Sequence, residues 1–244
     1  MTSIFKSAII LAAGFGKRML PLTSNLPKPL VKVANKPLIF HIIDKITRER
    51  IRNIFVNTHY LSEKLKNSVL ENYPNLNISR ENQILETGGG VMNLIKTHQT
   101  LSPKNPLLVV NGDIFWVEKK KSLLSRLFKY WNDDMDILLL LQESNLLNGY
   151  QGGGDFNFVE ECSVGKLISE EINNFAFCGV QILHPRIFKK VRKKNFSLRE
   201  LYKVSMSKGS LYGLKDTNLW FHVSTPKDLK NVNQWLKKNE ICNL

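Results

Sequence analysis

The chain has 244 residues, 43% of them hydrophobic, which is enough for one large α/β domain with a substantial core. Its 35 basic and 21 acidic residues give a formal charge of +14, which fits either a lysine-rich surface or an anionic substrate. The basic residues are spread along the whole chain and no DNA- or RNA-reading motif is present, so specific nucleic-acid binding is not expected.

The cysteine content and the lengths of the apolar runs predict where in the cell the protein is located. Cys162, Cys178 and Cys242 are far apart and lack metal-ligand spacing, which predicts free thiols in a reducing environment. The longest aliphatic run, 137–141, is too short to span a bilayer, and the N-terminus has no signal-peptide pattern. We therefore expect a soluble, cytoplasmic protein that does not use a membrane.

The first predicted element is a buried strand over 7–13, which runs into the stretch Gly14-Phe15-Gly16-Lys17-Arg18. A glycine turn at the end of a strand exposes backbone N–H groups, and with cations nearby these form a seat for a polyphosphate. Gly-x-Gly after a strand is also found at plain turns, and the complete dinucleotide and P-loop motifs are absent. The candidate nucleotide-binding residues here are Leu11, Ala12, Ala13, Gly14, Gly16 and Lys17, with Arg18 as a candidate catalytic residue.

A long loop over 14–33 follows, and such loops are usually functional. It contains Lys28, a second candidate catalytic residue, between two prolines, so this side chain loses little backbone freedom on binding an anion; the alternative is an exposed loop lysine. A helix opening at Pro37, a strand over 53–57, a helix over 62–72 and a short edge strand over 77–81 come next.

Residues 86–90 read Glu-Thr-Gly-Gly-Gly and are predicted to lead into a helix over 91–98. The glycines are either a flexible helix entry or a place where the backbone approaches a flat ligand closely. Glu86, Thr87, Gly88 and Gly89 are therefore candidate nucleotide-binding residues.

A buried strand over 107–111 brings Asn111, a candidate nucleotide-binding residue, and Asp113 to its carboxyl end, and a helix over 119–132 and a strand over 136–141 follow. This alternation predicts a Rossmann-like, mostly parallel sheet flanked by helices. Ligands of such sheets bind beyond the carboxyl ends of the strands, where 14–18 and Asp113 would meet. Asp113 is a candidate catalytic residue and the candidate magnesium ligand, since Mg²⁺ prefers carboxylate oxygens; the alternative is a strand-end cap.

The alternation stops after residue 141. A hairpin over 155–168, a longer strand over 175–183, a helix over 198–207, two short strands and a last helix opening at Pro226 are predicted. We expect a single domain over 1–244, with a nucleotide-binding half (1–141) and a small β-rich lobe within 142–244.

Residues 11–19 read Leu-Ala-Ala-Gly-x-Gly-x-Arg-Met, and 27–30 read Pro-Lys-Pro-Leu. Together they resemble the signature of the sugar-1-phosphate nucleotidylyltransferases, although the first half alone also fits cytidylyltransferases. Further matching segments, 86–90, 110–113, 154–156 and 183–185, extend the resemblance over roughly 4–236. It implies an enzyme that joins a nucleoside triphosphate to a sugar 1-phosphate, releases pyrophosphate and depends on Mg²⁺.

Within that family the resemblance implies uridylyl transfer from UTP to N-acetylmuramate 1-phosphate. Guanylyl transfer to mannose 1-phosphate or a heptose 1-phosphate is the alternative, as is a catalytically silent nucleotide-binding relative. The segment 86–90 would lie against the base, and the second half would bind the sugar, with Gly154, Asp155 and Gly179 as candidates. The protein is expected to be a monomer or a homodimer.

One position departs from the family pattern. The family usually has a second metal-binding aspartate before a Val-Gly-Thr segment, and here His222 takes its place, with Ser224 where the glycine is expected. Neutral imidazole is a poor Mg²⁺ ligand, so His222 is predicted to contact the water shell of the metal or a phosphate oxygen. The alternative is a histidine packed at a strand end beside Trp220.

Overall fold

The computed structural model describes residues 5–101, 104–119 and 121–241, which fold into a large sheet with helices on both faces. The helices are α1 (Leu38–Arg48), α2 (Ser62–Asn72), α3 (Glu86–Thr97), α4 (Leu123–Tyr130), α5 (Leu198–Ser207) and α6 (Pro226–Lys238). The strands are β1 (Ser7–Leu11), β2 (Lys32–Val33), β3 (Lys36–Pro37), β4 (Asn53–Thr58), β5 (Asn77–Arg80), β6 (Leu107–Asn111), β7 (Phe115–Val117), β8 (Ile137–Glu143), β9 (Asn157–Phe158), β10 (Val164–Ile168), β11 (Phe175–Leu183), β12 (Leu211–Lys215) and β13 (Leu219–Phe221).

The main sheet has the strand order β5-β4-β1-β6-β11-β8-β12-β10-β9. Strands β5, β4, β1 and β6 are parallel, so β1, β4 and β6 end at one edge, and β12 is parallel to β8. The predicted mostly parallel, Rossmann-like sheet flanked by helices is confirmed.

The place of β8 in that sheet differs from the predicted alternation. β11 lies between β6 and β8 and is antiparallel to both, so a strand assigned from sequence to the β-rich lobe stands in the middle of the sheet. Its side chains are apolar on both faces, which suits a central strand.

Three apolar clusters hold the fold. One lies between the sheet and α1, α2 and α4, the second between the sheet and α3 and α5. The third joins Met19 of the glycine loop to β7, β13 and α6. Because Met19 is fully buried, its burial alone contributes about 1.5–3 kcal/mol to holding that loop in place.

Several local predictions are confirmed. α2 and α5 begin and end at the predicted residues, and β5 is an edge strand. Pro226 opens α6, where Thr225 accepts from the Asp228 N–H and Asp228 accepts from the Thr225 N–H, forming a capping box. Two helices differ: α3 begins at Glu86 instead of residue 91, and α4 is shorter than predicted.

Cys162 and Cys178 are free thiols, as predicted, whereas Cys242 lies outside the described residues. Across the described ranges, every helix is too short or too polar to cross a membrane.

Candidate functional site

The loop after β1 forms one wall of a cavity at the carboxyl edge of the sheet. Gly16 has a φ of 64°, and a Cβ there would lie 3.0 Å from the Lys28 Cβ, so this turn requires glycine. Thr23 donates to the Gly16 carbonyl at 2.9 Å and fixes the turn. A Cβ on Gly14 would meet open space instead, because Gly14 faces the cavity.

This first cavity has a volume of about 390 Å³. Most of the nucleotide-binding residues and all three catalytic residues predicted from sequence line it. Those in the lining are Leu11, Ala12, Ala13, Gly14, Gly16, Lys17, Arg18, Lys28, Glu86, Thr87, Asn111 and Asp113. Arg18 and Lys17 are exposed at its edge, which leaves both cations accessible to an incoming anion.

Lys28 and Asp113 form an ion pair at the cavity floor, with 2.7 Å between Nζ and Oδ2. The Lys28 side chain is only 10% exposed, so the alternative of an exposed loop lysine is wrong. It follows Pro27 in a short 3-10 helix, Lys28–Leu30, whose turn places Nζ under the end of β6. A buried cation here can exchange one anionic partner for another without leaving the site.

A second cavity of about 190 Å³ adjoins the first. The two share five lining residues, which are Arg18, Lys28, Asn111, Asp113 and Ser224. Gly179 lines the second cavity at a bulge in β11, where its φ is 79° and a Cβ would lie 2.9 Å from the Asn111 amide nitrogen. The shared residues therefore form a cationic and polar junction between two separate ligand spaces.

Sequence reasoning missed a buried polar network behind the first cavity. Asn57 accepts from the Ala12 N–H at 2.8 Å and donates to Glu81 at 2.7 Å, and Glu81 accepts from the Leu85 N–H at 3.1 Å. Both Asn57 and Glu81 are almost fully buried and line the cavity. The one available signal was Gly90, since a Cβ there would lie 2.7 Å from both side chains.

Gly88 and Gly89 do not line either cavity, which corrects the reason given for these glycines. A Cβ on Gly88 would lie 2.3 Å from the Phe196 ring, and one on Gly89 would lie 2.2 Å from the Lys194 carbonyl. Their N–H groups donate to the Phe196 carbonyl at 2.9 and 3.1 Å. The glycines thus let α3 pack against the segment 194–198, and these helix-start amides are already occupied.

Gly154 and Asp155 also lie outside both cavities. Asp155 accepts from the Phe177 N–H at 2.9 Å and pairs with Arg199 at 2.8 Å. Gly154 has a φ of 77°, and its Cα faces the Asn173 carbonyl. In this structure both residues anchor the loop before β9 to β11.

His222 lines the second cavity, 2.7 Å from the Ser224 hydroxyl through Nε2 and edge-on to the Tyr150 ring. Burial, and then the nearby charges of Lys28 and Arg18, lower the pKa of His222 below its usual value. Both effects favour the neutral imidazole in the ligand-free protein.

The donor set at the junction suits a hard divalent cation with few protein ligands. No group of three or more histidine, cysteine or acidic side chains able to hold a metal occurs within 5–101, 104–119 and 121–241. Asp113 supplies a carboxylate that is 38% exposed, and Asn111 lines the same two cavities. One carboxylate together with substrate phosphates is a common way to bind Mg²⁺.

A glycine loop after the first strand, a lysine–aspartate pair and two adjoining cavities at the carboxyl edge of a Rossmann-like sheet define a group-transfer enzyme acting on phosphates. The profile of the Nucleotidyl transferase family matches residues 7–150, and the chain belongs to the sugar-1-phosphate nucleotidyltransferases. Members of this family generally use a divalent metal ion.

Individual relatives differ in substrate. The chain is 32% identical to the N-acetylmuramate alpha-1-phosphate uridylyltransferase of Caulobacter vibrioides, over 93% of this chain and 95% of the relative. It is 26% identical to the mannose-1-phosphate guanylyltransferase catalytic subunit beta of Danio rerio, over 91% of this chain but 62% of that longer protein. Among solved structures, UDP-glucose pyrophosphorylase complexed with UDP-glucose superposes with a TM-score of 0.76 at 16% identity, covering 96% of this chain and 99% of the other.

Proposed function

We propose that this enzyme transfers a uridylyl group from UTP to N-acetylmuramate 1-phosphate and releases pyrophosphate. The observation that supports this proposal best is the junction where the two cavities share Arg18, Lys28, Asn111, Asp113 and Ser224. A nucleoside triphosphate in the first cavity and a sugar 1-phosphate in the second would bring their phosphates together there. The proposed substrates are cytoplasmic metabolites, so a cytoplasmic location accompanies the proposal.

In the proposed reaction a phosphate oxygen of the sugar 1-phosphate attacks the α-phosphorus, and the bond to the β,γ-pyrophosphate breaks. Both reactants are polyanions, so the protein mainly aligns them and neutralises charge that develops on pyrophosphate. Arg18 is exposed and suits bidentate contact with phosphate oxygens, and Lys28 would exchange Asp113 for phosphate. A bound Mg²⁺, held by Asp113 and substrate phosphates, would supply further positive charge at the transferred group.

The assignment of UTP and of the muramyl sugar rests on the Caulobacter vibrioides relative. Guanylyl transfer to mannose 1-phosphate is the second candidate, favoured by several relatives, including the Danio rerio protein. In both cases the second half would bind the sugar, with Gly179 in contact and Gly154 and Asp155 acting through the loop that they anchor.

The deciding experiment measures pyrophosphate release from each of the four nucleoside triphosphates and TTP, combined with N-acetylmuramate, mannose, glucose and heptose 1-phosphates and Mg²⁺. We expect release only with UTP and N-acetylmuramate 1-phosphate together. A preference for GTP and mannose 1-phosphate would replace the assignment, and no release with any pair would indicate a silent relative.

The same assay tests the junction. Asp113→Asn removes the carboxylate and is expected to lower turnover at least ~100-fold, the usual cost of one charge-stabilising group. Asp44→Asn is the matched control. Asp44 also pairs with a lysine, Lys36, at 2.6 Å, but it lies on α1 and lines neither cavity. Near-normal turnover in Asp113→Asn would remove this carboxylate from the reaction.

A further inference from the structure

A fully buried carboxylate, Asp216, lies behind the wall of the second cavity without lining it. It follows β12, and four donors surround it. Oδ1 accepts from Arg126 of α4 at 2.8 Å and from the Asn218 side-chain amide at 3.0 Å. Oδ2 accepts from the Trp220 indole N–H at 2.6 Å and from the Asn218 backbone N–H at 3.3 Å. These four bonds use the whole accepting capacity of a carboxylate.

The donor that matters for the site is Trp220, because it belongs to the cavity wall. Its indole stacks on Trp116 with 5.0 Å between ring centroids and 19° between planes. Its carbonyl accepts from both nitrogens of Asn148, whose own carbonyl accepts from the His222 N–H at 2.8 Å. Side chain and backbone of Trp220 are therefore fixed by different groups.

That wall is a continuous stretch of chain. Five consecutive residues line the second cavity, which are Trp220, Phe221, His222, Val223 and Ser224. Among the residues that the structure describes, the stretch pairs in a sheet with the three-residue strand β7 alone and makes an isolated bridge with Asn148. Such a short ribbon has few backbone hydrogen bonds of its own, so its position depends on side-chain anchors.

We infer that Asp216 is a positioning residue for the acceptor substrate, acting through Trp220 on the wall of the second cavity. The inference rests on the proposed function, in which that cavity takes the sugar 1-phosphate. An amide at position 216 would direct its NH₂ group at other donors and leave the Trp220 or the Arg126 N–H groups unpaired. The wall would then shift at Trp220, while the first cavity, which of the five wall residues includes Ser224 alone, would largely keep its shape.

The test compares Asp216→Asn with Asp136→Asn. Asp136 is a partly buried carboxylate that likewise accepts from an arginine, Arg186 at 2.5 Å, and accepts from the Ser210 hydroxyl at 2.7 Å. It precedes β8, at the sheet edge opposite to the site. Each variant loses the charge of a carboxylate that pairs with an arginine, but only Asp216 lies behind the second cavity.

For Asp216→Asn we expect the KM for the sugar 1-phosphate to rise at least ~10-fold, since small misplacements of a bound reactant are costly. The KM for the nucleotide should stay within about twofold of wild type, and Asp136→Asn should leave both constants unchanged. Unchanged constants in Asp216→Asn, or an equal rise in both, would overturn the inference.

A second readout is independent of turnover and of the substrate assignment. Near-ultraviolet circular dichroism should lose the signal of the Trp116–Trp220 stack in Asp216→Asn and retain it in Asp136→Asn. If the wild type released no pyrophosphate, the proposed function would fail. Independently of that result, an unchanged spectrum in Asp216→Asn would show that Asp216 does not anchor Trp220. Trp220→Phe keeps a stacked ring without the N–H donor and covers the case in which Asp216→Asn does not fold. It should also raise the KM for the sugar 1-phosphate selectively, and no rise would count against the inference.

Discussion

Lys28 and Asp113, two candidate site residues predicted from sequence, form an ion pair in the structure. The sequence predicted Lys28 in the loop after the first strand and Asp113 at the carboxyl end of the strand over 107–111. Since the carboxyl ends of parallel strands lie at one edge of a sheet, both residues were expected near that edge. Their direct contact was not predictable, since it depends on how the 3-10 turn Lys28–Leu30 aims one side chain. Asn57, near the end of β4, and Glu81, just after β5, were missed because a polar residue at a strand end is expected to be solvent-exposed when its partner is not known.

The ion pair leads to a prediction for metal binding. In the ligand-free enzyme Lys28 neutralises Asp113, so a divalent cation must compete with an ammonium for that carboxylate. Lys28→Met should therefore bind Mn²⁺ more tightly than wild type when no nucleotide is present, although its turnover falls. Titration followed by electron paramagnetic resonance measures this affinity. Weaker or equal Mn²⁺ binding in Lys28→Met would show that the pair does not compete with metal.

The helices whose bounds could be predicted from sequence are those in which the local sequence pattern agrees with the tertiary packing. α2 and α5 begin after capping or turn residues and carry an apolar stripe, so their bounds could be read from sequence. α3 starts five residues earlier than predicted because its glycines, poor helix formers alone, are held by packing: Gly88 and Gly89 lie against 194–198, and Gly90 lies against Asn57 and Glu81. β7 and β13 have three residues each, and pairs that short carry no pattern long enough to identify.

Two glycines give opposite expectations when changed to alanine. Gly14 faces open space at the first cavity, so Gly14→Ala should keep the stability of the protein and weaken nucleotide binding. Gly89→Ala would place a methyl group 2.2 Å from the Lys194 carbonyl, so it should lose about 1–3 kcal/mol of stability through overpacking. Urea unfolding and nucleotide titration measure the two effects. A destabilised Gly14→Ala or a fully stable Gly89→Ala would contradict these placements.

A buried histidine links α1 to the β2–β3 hairpin and makes stability depend on pH. His41 Nε2 lies 2.9 Å from the Val33 carbonyl, and burial lowers the pKa of His41 below its usual value. As pH falls through about 6.5, the unfolded chain takes up a proton that the folded protein resists. Stability is therefore present above that range and is lost as pH falls.

His41→Gln keeps a hydrogen-bond donor but cannot titrate, so it should lose less stability than wild type between about pH 7.5 and 5.5. Unfolding free energies in urea at both pH values give the comparison, and the lowered pKa values of His184 and His222 affect both proteins alike. Parallel losses in the two proteins would mean that His41 does not contribute.

For the whole molecule, the arrangement of two cavities with a common junction predicts the order of events. In the proposed function each substrate would occupy its own cavity and their phosphates would meet at the shared residues, so transfer should be direct, within a ternary complex. Initial rates measured over both substrate concentrations should give intersecting double-reciprocal lines, with no pyrophosphate from nucleotide alone. Parallel lines, or release without sugar phosphate, would point to an intermediate on the protein instead.

The position of β11 also matters while the chain is being synthesised. The family profile ends at residue 150, yet the gap between β6 and β8 is filled only by residues 175–183. Until those residues leave the ribosome, β6 and β8 would each present an open, apolar edge to solvent. Nascent chains that stop before Phe175 should therefore be held by chaperones or aggregate, and folding of the nucleotide half should await the arrival of the other half.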